Sequence, residues 1–165
     1  MEILKWCAEN SCNWKEGICA AAAGKSLEML QFVRSQGCSW NESTCANAAL
    51  EGKLEILQWT REQGCPWKEN TIFNAAWKNH LDIVQWAHKN GCPWNETACS
   101  EATKGSLEML QWLKKNGCPW DETTCKSAAE YGNLIILQWV HENECPWDET
   151  TYKSAAQAGN FTILK

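Results

Sequence analysis

The residues of this sequence best suited to chemistry are its cysteines, 11 in 165 residues, most of which fall into two regularly spaced columns. One column comprises Cys12, Cys38, Cys65, Cys92, Cys118 and Cys145, and the other comprises Cys19, Cys45, Cys99 and Cys125, with Cys7 left over. Ile72 and Tyr152 stand at the remaining places of the second column. Because cysteine behaves as a small hydrophobe, these replacements indicate a buried, apolar column.

A metal site is the more specific interpretation of so many cysteines. Cys118 and Cys125 enclose six residues. Structural zinc sites favour about two to four, and they need a second matching pair. The three histidines are interpreted as occupying unrelated places in the chain: His80, His88 and His141. We therefore expect neither a metal nor another cofactor.

Disulfides are the other chemistry open to these cysteines. Equivalent residues of stacked helices lie roughly 8–10 Å apart, beyond the limit of about 7 Å between the Cα atoms of a disulfide. We expect reduced thiols and hence a cytoplasmic protein, with the nucleus or a host cytoplasm as alternatives.

A column of glutamates is the remaining candidate for catalysis: Glu16, Glu42, Glu69, Glu96, Glu122 and Glu149. A catalytic carboxylate is a single feature placed in one pocket, whereas these recur at the start of every predicted helix pair. A carboxylate there suits the positive end of a helix dipole. No phosphate loop or nucleophile motif interrupts the pattern, so we expect no enzyme.

These columns belong to a repeat that is marked by Trp14, Trp40, Trp67, Trp94, Trp120 and Trp147, spaced 26 or 27 residues apart. A fixed period of this kind predicts one supersecondary unit copied in tandem. The predicted boundaries are a partial repeat at 1–13, full repeats at 14–39, 40–66, 67–93, 94–119 and 120–146, and a partial repeat at 147–165. We expect a single array over residues 1–165.

Each repeat reads as two helices. Asn or Asp follows the tryptophan in four of six copies, a good helix start, and glycine at Gly52, Gly105, Gly132 or Gly159 is expected to end the first helix in a left-handed conformation. The second segment places Leu134, Ile136, Leu137, Trp139 and Val140 at helical spacing. The class is therefore all-α, and both tryptophan columns are interpreted as packing residues rather than a ligand box.

The run from Ala128 to Leu134, followed by Leu137 to Val140, resembles the ankyrin repeat. Thr123, Cys125, Gly132 and the pair Gly117–Cys118 fall on that family's Thr, core Leu, Gly and Gly-Ala. Thr124 and Lys126 stand where Pro and His are usual, and the repeat is shorter than the family's usual length of about 33 residues. The missing residues are those that build the projecting hairpin. The chain looks like the short ankyrin-type arrays with a CPW signature found in protists and large DNA viruses.

The resemblance implies an ankyrin-like α-solenoid of stacked antiparallel helix pairs, with β-hairpin fingers reduced or absent. It also implies a protein–protein interaction scaffold whose concave face binds a protein partner. A net charge of −5 argues against a nucleic-acid partner, because phosphate binding needs a basic face. No apolar run approaches the length of a membrane span, so no membrane partner is expected.

Partner binding is expected where the copies differ. The candidate residues after each Ala-Ala pair, together with Phe73, are Leu50, Glu51, Phe73, Trp77, Lys78, Thr103, Lys104, Glu130 and Tyr131. Two rival roles remain open. The array could stack end to end through Ile3, Leu4 and Trp6 at one end and Phe161, Ile163 and Leu164 at the other, or it could be the substrate receptor of a larger ubiquitin-ligase adaptor.

Overall fold

The computed structural model describes residues 2–10 and 16–159, which form twelve α-helices and contain no strand. The helices are α1 Glu2–Glu9, α2 Glu16–Ala23, α3 Leu27–Ser35, α4 Glu42–Leu50, α5 Leu54–Glu62, α6 Glu69–Trp77, α7 Leu81–Lys89, α8 Glu96–Ala102, α9 Leu107–Lys115, α10 Glu122–Glu130, α11 Leu134–Glu142 and α12 Glu149–Gln157. The all-α prediction is confirmed for this part of the chain. None of these helices is long and apolar enough to cross a membrane.

The helix starts follow from the residues after each loop tryptophan. The side chain of Asn41 accepts a hydrogen bond from the Ser43 amide (3.0 Å), and Asp121 accepts one from Thr123 in the same way (3.0 Å). Such caps satisfy amides that have no partner within the helix. The glutamate that follows each cap lies in the first turn, as at Glu42 and Glu122.

The ends of the first helices confirm one prediction and correct another. Gly52, Gly132 and Gly159 adopt φ values of 67°, 71° and 72°, the left-handed conformation expected of a helix stop. Gly105 does not, so its predicted role is wrong. The link from Ala102 to Leu107 is one residue shorter than that from Ala128 to Leu134, and it leaves no residue to take that conformation.

The chain divides into two compact units, Met1–Ala75 with Asp82–Cys92 and Ala76–Leu81 with Pro93–Lys165. In the first, α2 packs on α3, α4 packs on α5, and α2 also packs on α4. In the second, α10 packs on α8, α11 and α12, and α8 also packs on α9. First helices of successive repeats thus contact each other within each unit, as a stacked repeat requires.

Each compact unit buries the apolar stripe of its second helices against small residues of its first helices. Leu30, Val33 and Leu57 are buried in the first unit with alanines of α2 and α4. Met109, Leu110, Leu113, Ile136 and Val140 are buried in the second unit. Small side chains on the first helices allow close packing of these larger residues, which explains the Ala-Ala pairs.

Candidate functional site

The nine cysteines whose side chains are described are all buried and carry free thiols. Four thiols of the loop column donate to the carbonyl that opens their own repeat: Cys65 to Asn41 (3.4 Å), Cys92 to Lys68 (3.5 Å), Cys118 to Asn95 (3.5 Å) and Cys145 to Asp121 (3.4 Å). The column therefore ties the end of a repeat to its start. Cys12 lies outside the described residues, as does the side chain of Cys7.

The two cysteine columns meet in pairs that spacing along the chain did not indicate. Cys19 donates to the Cys38 carbonyl (3.5 Å), and Cys125 lies beside Cys145 rather than Cys118. The hydrogen bond with Cys145, and then burial, raises the pKa of the Cys125 thiol above its ordinary value, which keeps it protonated. Among the described residues, no three His, Cys, Asp or Glu side chains cluster as metal ligands would.

The tryptophans form edge-on pairs inside four of the repeats. The ring centroids are 5.8 Å apart in Trp40–Trp59, Trp67–Trp86 and Trp120–Trp139, and 6.1 Å apart in Trp94–Trp112. Both tryptophans of each pair are partly exposed, so the rings pack against each other without being fully buried. Edge-to-face pairs of this kind add a modest stabilisation beyond area burial.

A cation from the preceding repeat covers the loop tryptophan. The guanidinium of Arg34 lies 4.0 Å from the Trp40 centroid, and that of Arg61 lies 4.1 Å from Trp67. The ammonium of Lys114 lies 3.7 Å from Trp120. In these three repeats a cation–π contact thus holds the loop tryptophan against the preceding repeat.

Two of the three histidines share the helix position that these cations occupy, which corrects the interpretation that the histidines are unrelated. His88 and His141 are each the eighth residue of a second helix, the place that Arg34, Arg61 and Lys114 hold in other repeats. The ring of His141 packs edge-on against Trp147, with centroids 5.1 Å apart. Only His80, which precedes α7, belongs to another column.

The glutamate column lies on the surface at the helix starts. Glu42 pairs with Lys68 of the next repeat (2.7 Å), and this hydrogen bond lowers the pKa of its carboxyl. Both side chains are substantially exposed, so the pair contributes little to stability. The side chain of Glu16 lies outside the described residues.

The predicted partner-binding residues differ in exposure. Glu51, Trp77, Lys78, Glu130 and Tyr131 are exposed, Leu50, Phe73 and Lys104 are partly buried, and Thr103 is fully buried. The placement of Thr103 at the surface is therefore wrong. It is the eighth residue counted from Glu96, the place of buried Ala76 and Ala129 in other repeats, and its hydroxyl donates to the Ser100 carbonyl (2.6 Å).

Four of the predicted residues come together in the second compact unit. We call Trp77, Lys78, Lys104 and Tyr131 the aromatic–lysine cluster. The ammonium of Lys78 lies 4.4 Å from the Trp77 centroid, and that of Lys104 lies 5.8 Å from Trp77 and 4.9 Å from Tyr131. Lys104 therefore stands within cation–π range of both rings.

A carboxylate holds Lys104 in place. Glu101, one turn earlier, forms an ion pair with it, and both side chains are largely buried. Burial alone would lower the pKa of Lys104, but the hydrogen bonds to Glu101 and Tyr131 raise it. The lysine therefore stays charged between the rings, while Trp77 remains 42% exposed and Tyr131 48% exposed.

An open groove of about 500 Å³ adjoins the cluster on the α10–α12 side. Its lining is mainly polar and comprises Lys126, Glu130, Tyr131, Ser154, Gln157 and Ala158. Tyr131 belongs to both features, so an elongated ligand on the cluster could extend into the groove. Phe73 falls in the first compact unit and is left out of the cluster.

Comparisons with known proteins assign no family to this chain. No protein-family model matches the sequence, and no curated protein is significantly similar to it.

Proposed function

We propose that this chain is a non-catalytic interaction scaffold, an ankyrin-like α-solenoid that binds a protein partner through the aromatic–lysine cluster. The observation that carries the proposal is the exposure of Trp77 and Tyr131 beside immobilised charge. Exposed Trp and Tyr with charged neighbours are typical of the residues that dominate binding energy in interfaces.

The positions involved also favour a binding role. The ninth residue counted from the glutamate is Leu50, Trp77, Lys104, Glu130 or Gln157 in successive repeats. A packing position would keep its size and polarity, as the Ala-Ala pairs largely do. A column that accepts such different side chains is free to serve recognition, and the ankyrin resemblance would place it on the concave face.

The test compares a cluster variant with a matched surface variant. Trp77→Gln introduces the residue that stands at the same place in the repeat of Gln157. Ile135→Gln removes a 66% exposed apolar side chain outside the cluster. Partners are captured by cross-linking in a lysate of the cells in which the protein naturally occurs, at a temperature where all forms remain folded.

We expect Trp77→Gln to lose a partner that wild type and Ile135→Gln both retain, with an affinity loss of about tenfold or more. Equal capture by all three forms would refute the proposal. A loss of folding in Trp77→Gln alone would return Trp77 to a packing role.

End-to-end self-association is a second candidate function, favoured by α1. Ile3 and Trp6 on this helix are 78% and 60% exposed. Apolar side chains displayed together mark contacts between molecules. The opposite contact residues, Phe161, Ile163 and Leu164, lie outside the described residues.

A further inference from the structure

The charges in the aromatic–lysine cluster are unequally compensated. Lys104 already has a carboxylate partner in Glu101. Lys78 is exposed and lies against Trp77, and no carboxylate of the described residues forms an ion pair with it. The cluster therefore offers one ammonium without a carboxylate partner, which lies against Trp77, and two exposed aromatic rings.

We infer that the cluster recognises an acidic peptide segment, with a carboxylate for Lys78 and a large apolar side chain for the exposed surfaces of Trp77 and Tyr131. This inference rests on the proposed function, from which it takes the partner to be a protein, and it adds the chemistry of the segment that binds. An exposed ammonium over an aromatic ring favours a partner that combines negative charge with apolar area.

Glu101 should compete with the acidic peptide for the ammonium of Lys104. It supplies to Lys104 the carboxylate that an incoming acidic peptide would otherwise supply. Removing its charge should therefore free a second ammonium for the peptide. If the ion pair between Glu101 and Lys104 had only a structural role, breaking it would weaken peptide binding or leave it unchanged.

Other ligand classes fit the cluster less well. A cationic ligand would need the space between the rings that the Lys104 ammonium already occupies, and it would meet the charge of Lys78. A nucleic acid needs many phosphate contacts from a basic face. Here the cluster has two lysines, one of them already paired with Glu101, in a chain of net charge −5.

The test measures fluorescence anisotropy of a labelled dodecapeptide that carries a central Leu-Phe pair flanked by glutamates. Versions with glutamine or lysine in place of glutamate, and a single-stranded oligonucleotide, are the comparison probes. The protein variants are Lys78→Gln, Glu101→Gln and Trp77→Gln. Lys115→Gln and Glu108→Gln, at exposed positions of α9, reproduce the charge changes away from the cluster.

We expect the glutamate peptide to bind more tightly than the other probes. Lys78→Gln should weaken it by about threefold, a typical value for one exposed ion pair. Glu101→Gln should tighten it by about threefold, and Trp77→Gln should weaken it by about tenfold. Lys115→Gln and Glu108→Gln should leave the affinity nearly unchanged, and added salt should reduce the effect of Lys78.

Three results would overturn the inference. They are glutamate and glutamine peptides that bind equally, tighter binding of the lysine peptide or the oligonucleotide, and no binding of the glutamate peptide at roughly millimolar concentration. Weaker peptide binding by Glu101→Gln would also contradict the competitor role. If cross-linked capture still depends on Trp77 in these cases, the proposed function stands and only the acidic chemistry is wrong.

Discussion

Glu144 occupies a backbone conformation that glycine adopts in the other repeats. Its φ is +59°, whereas Gly64, Gly91 and Gly117 at the same place after the second helix have φ values of 78°, 80° and 82°. A side chain in this conformation costs about 1–2 kcal/mol. Glycine in turn makes the unfolded chain more flexible, which offsets about 0.4–1 kcal/mol. We therefore expect Glu144→Gly to stabilise the second compact unit by ~1 kcal/mol.

The reverse change at Gly117 should have the opposite effect. Apart from the glycine itself and its two chain neighbours, no atom lies within 4 Å of a Cβ added to Gly117, so Gly117→Ala meets no steric clash and its cost is conformational alone. We expect a loss of ~1 kcal/mol. The two variants thus test the same conformational cost, which Glu144→Gly should remove and Gly117→Ala should introduce.

The assay is native-state amide hydrogen exchange at the two helix ends. The amide of Cys118 donates to Leu113 and that of Cys145 donates to Val140, both at 3.0 Å, and these hydrogen bonds open when the helix end unfolds. Exchange reports local stability even where an array does not unfold in one step. Glu142→Gln, an exposed change nearby, controls for the loss of charge.

If Glu144→Gly slows exchange no more than Glu142→Gln does, the left-handed conformation of Glu144 carries no such cost and the prediction is refuted. It also fails if Gly117→Ala costs more than about 3 kcal/mol, a value that only a steric clash or a lost packing contact would explain.

Three further predictions concern packing, pH and self-association. Arg61→Met should cost about 1–2 kcal/mol in urea unfolding, because it removes the cation over Trp67 and the hydrogen bond to the Cys65 carbonyl; an unchanged midpoint would refute this. Burial raises the pKa of Cys92 from 9.0 to about 12, so the unfolded chain loses its proton first and stability should fall as pH rises above about 9. Cys92→Ala should flatten that fall. If α1 mediates self-association, Ile3→Ser should reduce the apparent mass in light scattering, and a wild type that stays monomeric at high concentration would remove the idea.

The helices could be predicted from the sequence because their causes are local. Asn41 and Asp121 cap through their own side chains, and the apolar spacing of α9 and α11 needs only the helical period. The error at Thr103 arose from taking it as a residue after an Ala-Ala pair. Counting from Glu96 would have placed it in the small, buried column, and the shorter link to Leu107 would have identified Gly105 as an ordinary residue.

The surroundings of the tryptophans could not be predicted from periodicity alone. A helical period gives the face on which Trp59 lies, but it does not say how deeply that face is covered. One signal was present in the sequence: Arg34, Arg61 and Lys114 each precede a loop tryptophan by six residues, which brings a cation from one repeat onto the ring of the next. The cysteine pairs had no comparable signal, since they join residues about 20 positions apart.

The contrast between the two kinds of aromatic residue separates packing from recognition. Trp40 and Trp67 have a ring partner in their own repeat and a cation from the preceding one, and the arrangement recurs with the same geometry. Trp77 has no counterpart at its position in other repeats, where Leu50, Lys104 and Glu130 stand. Folding therefore does not require an aromatic ring there. Because the array folds with a polar residue at the same place, the exposed ring of Trp77 supports the proposal that this residue contacts a partner.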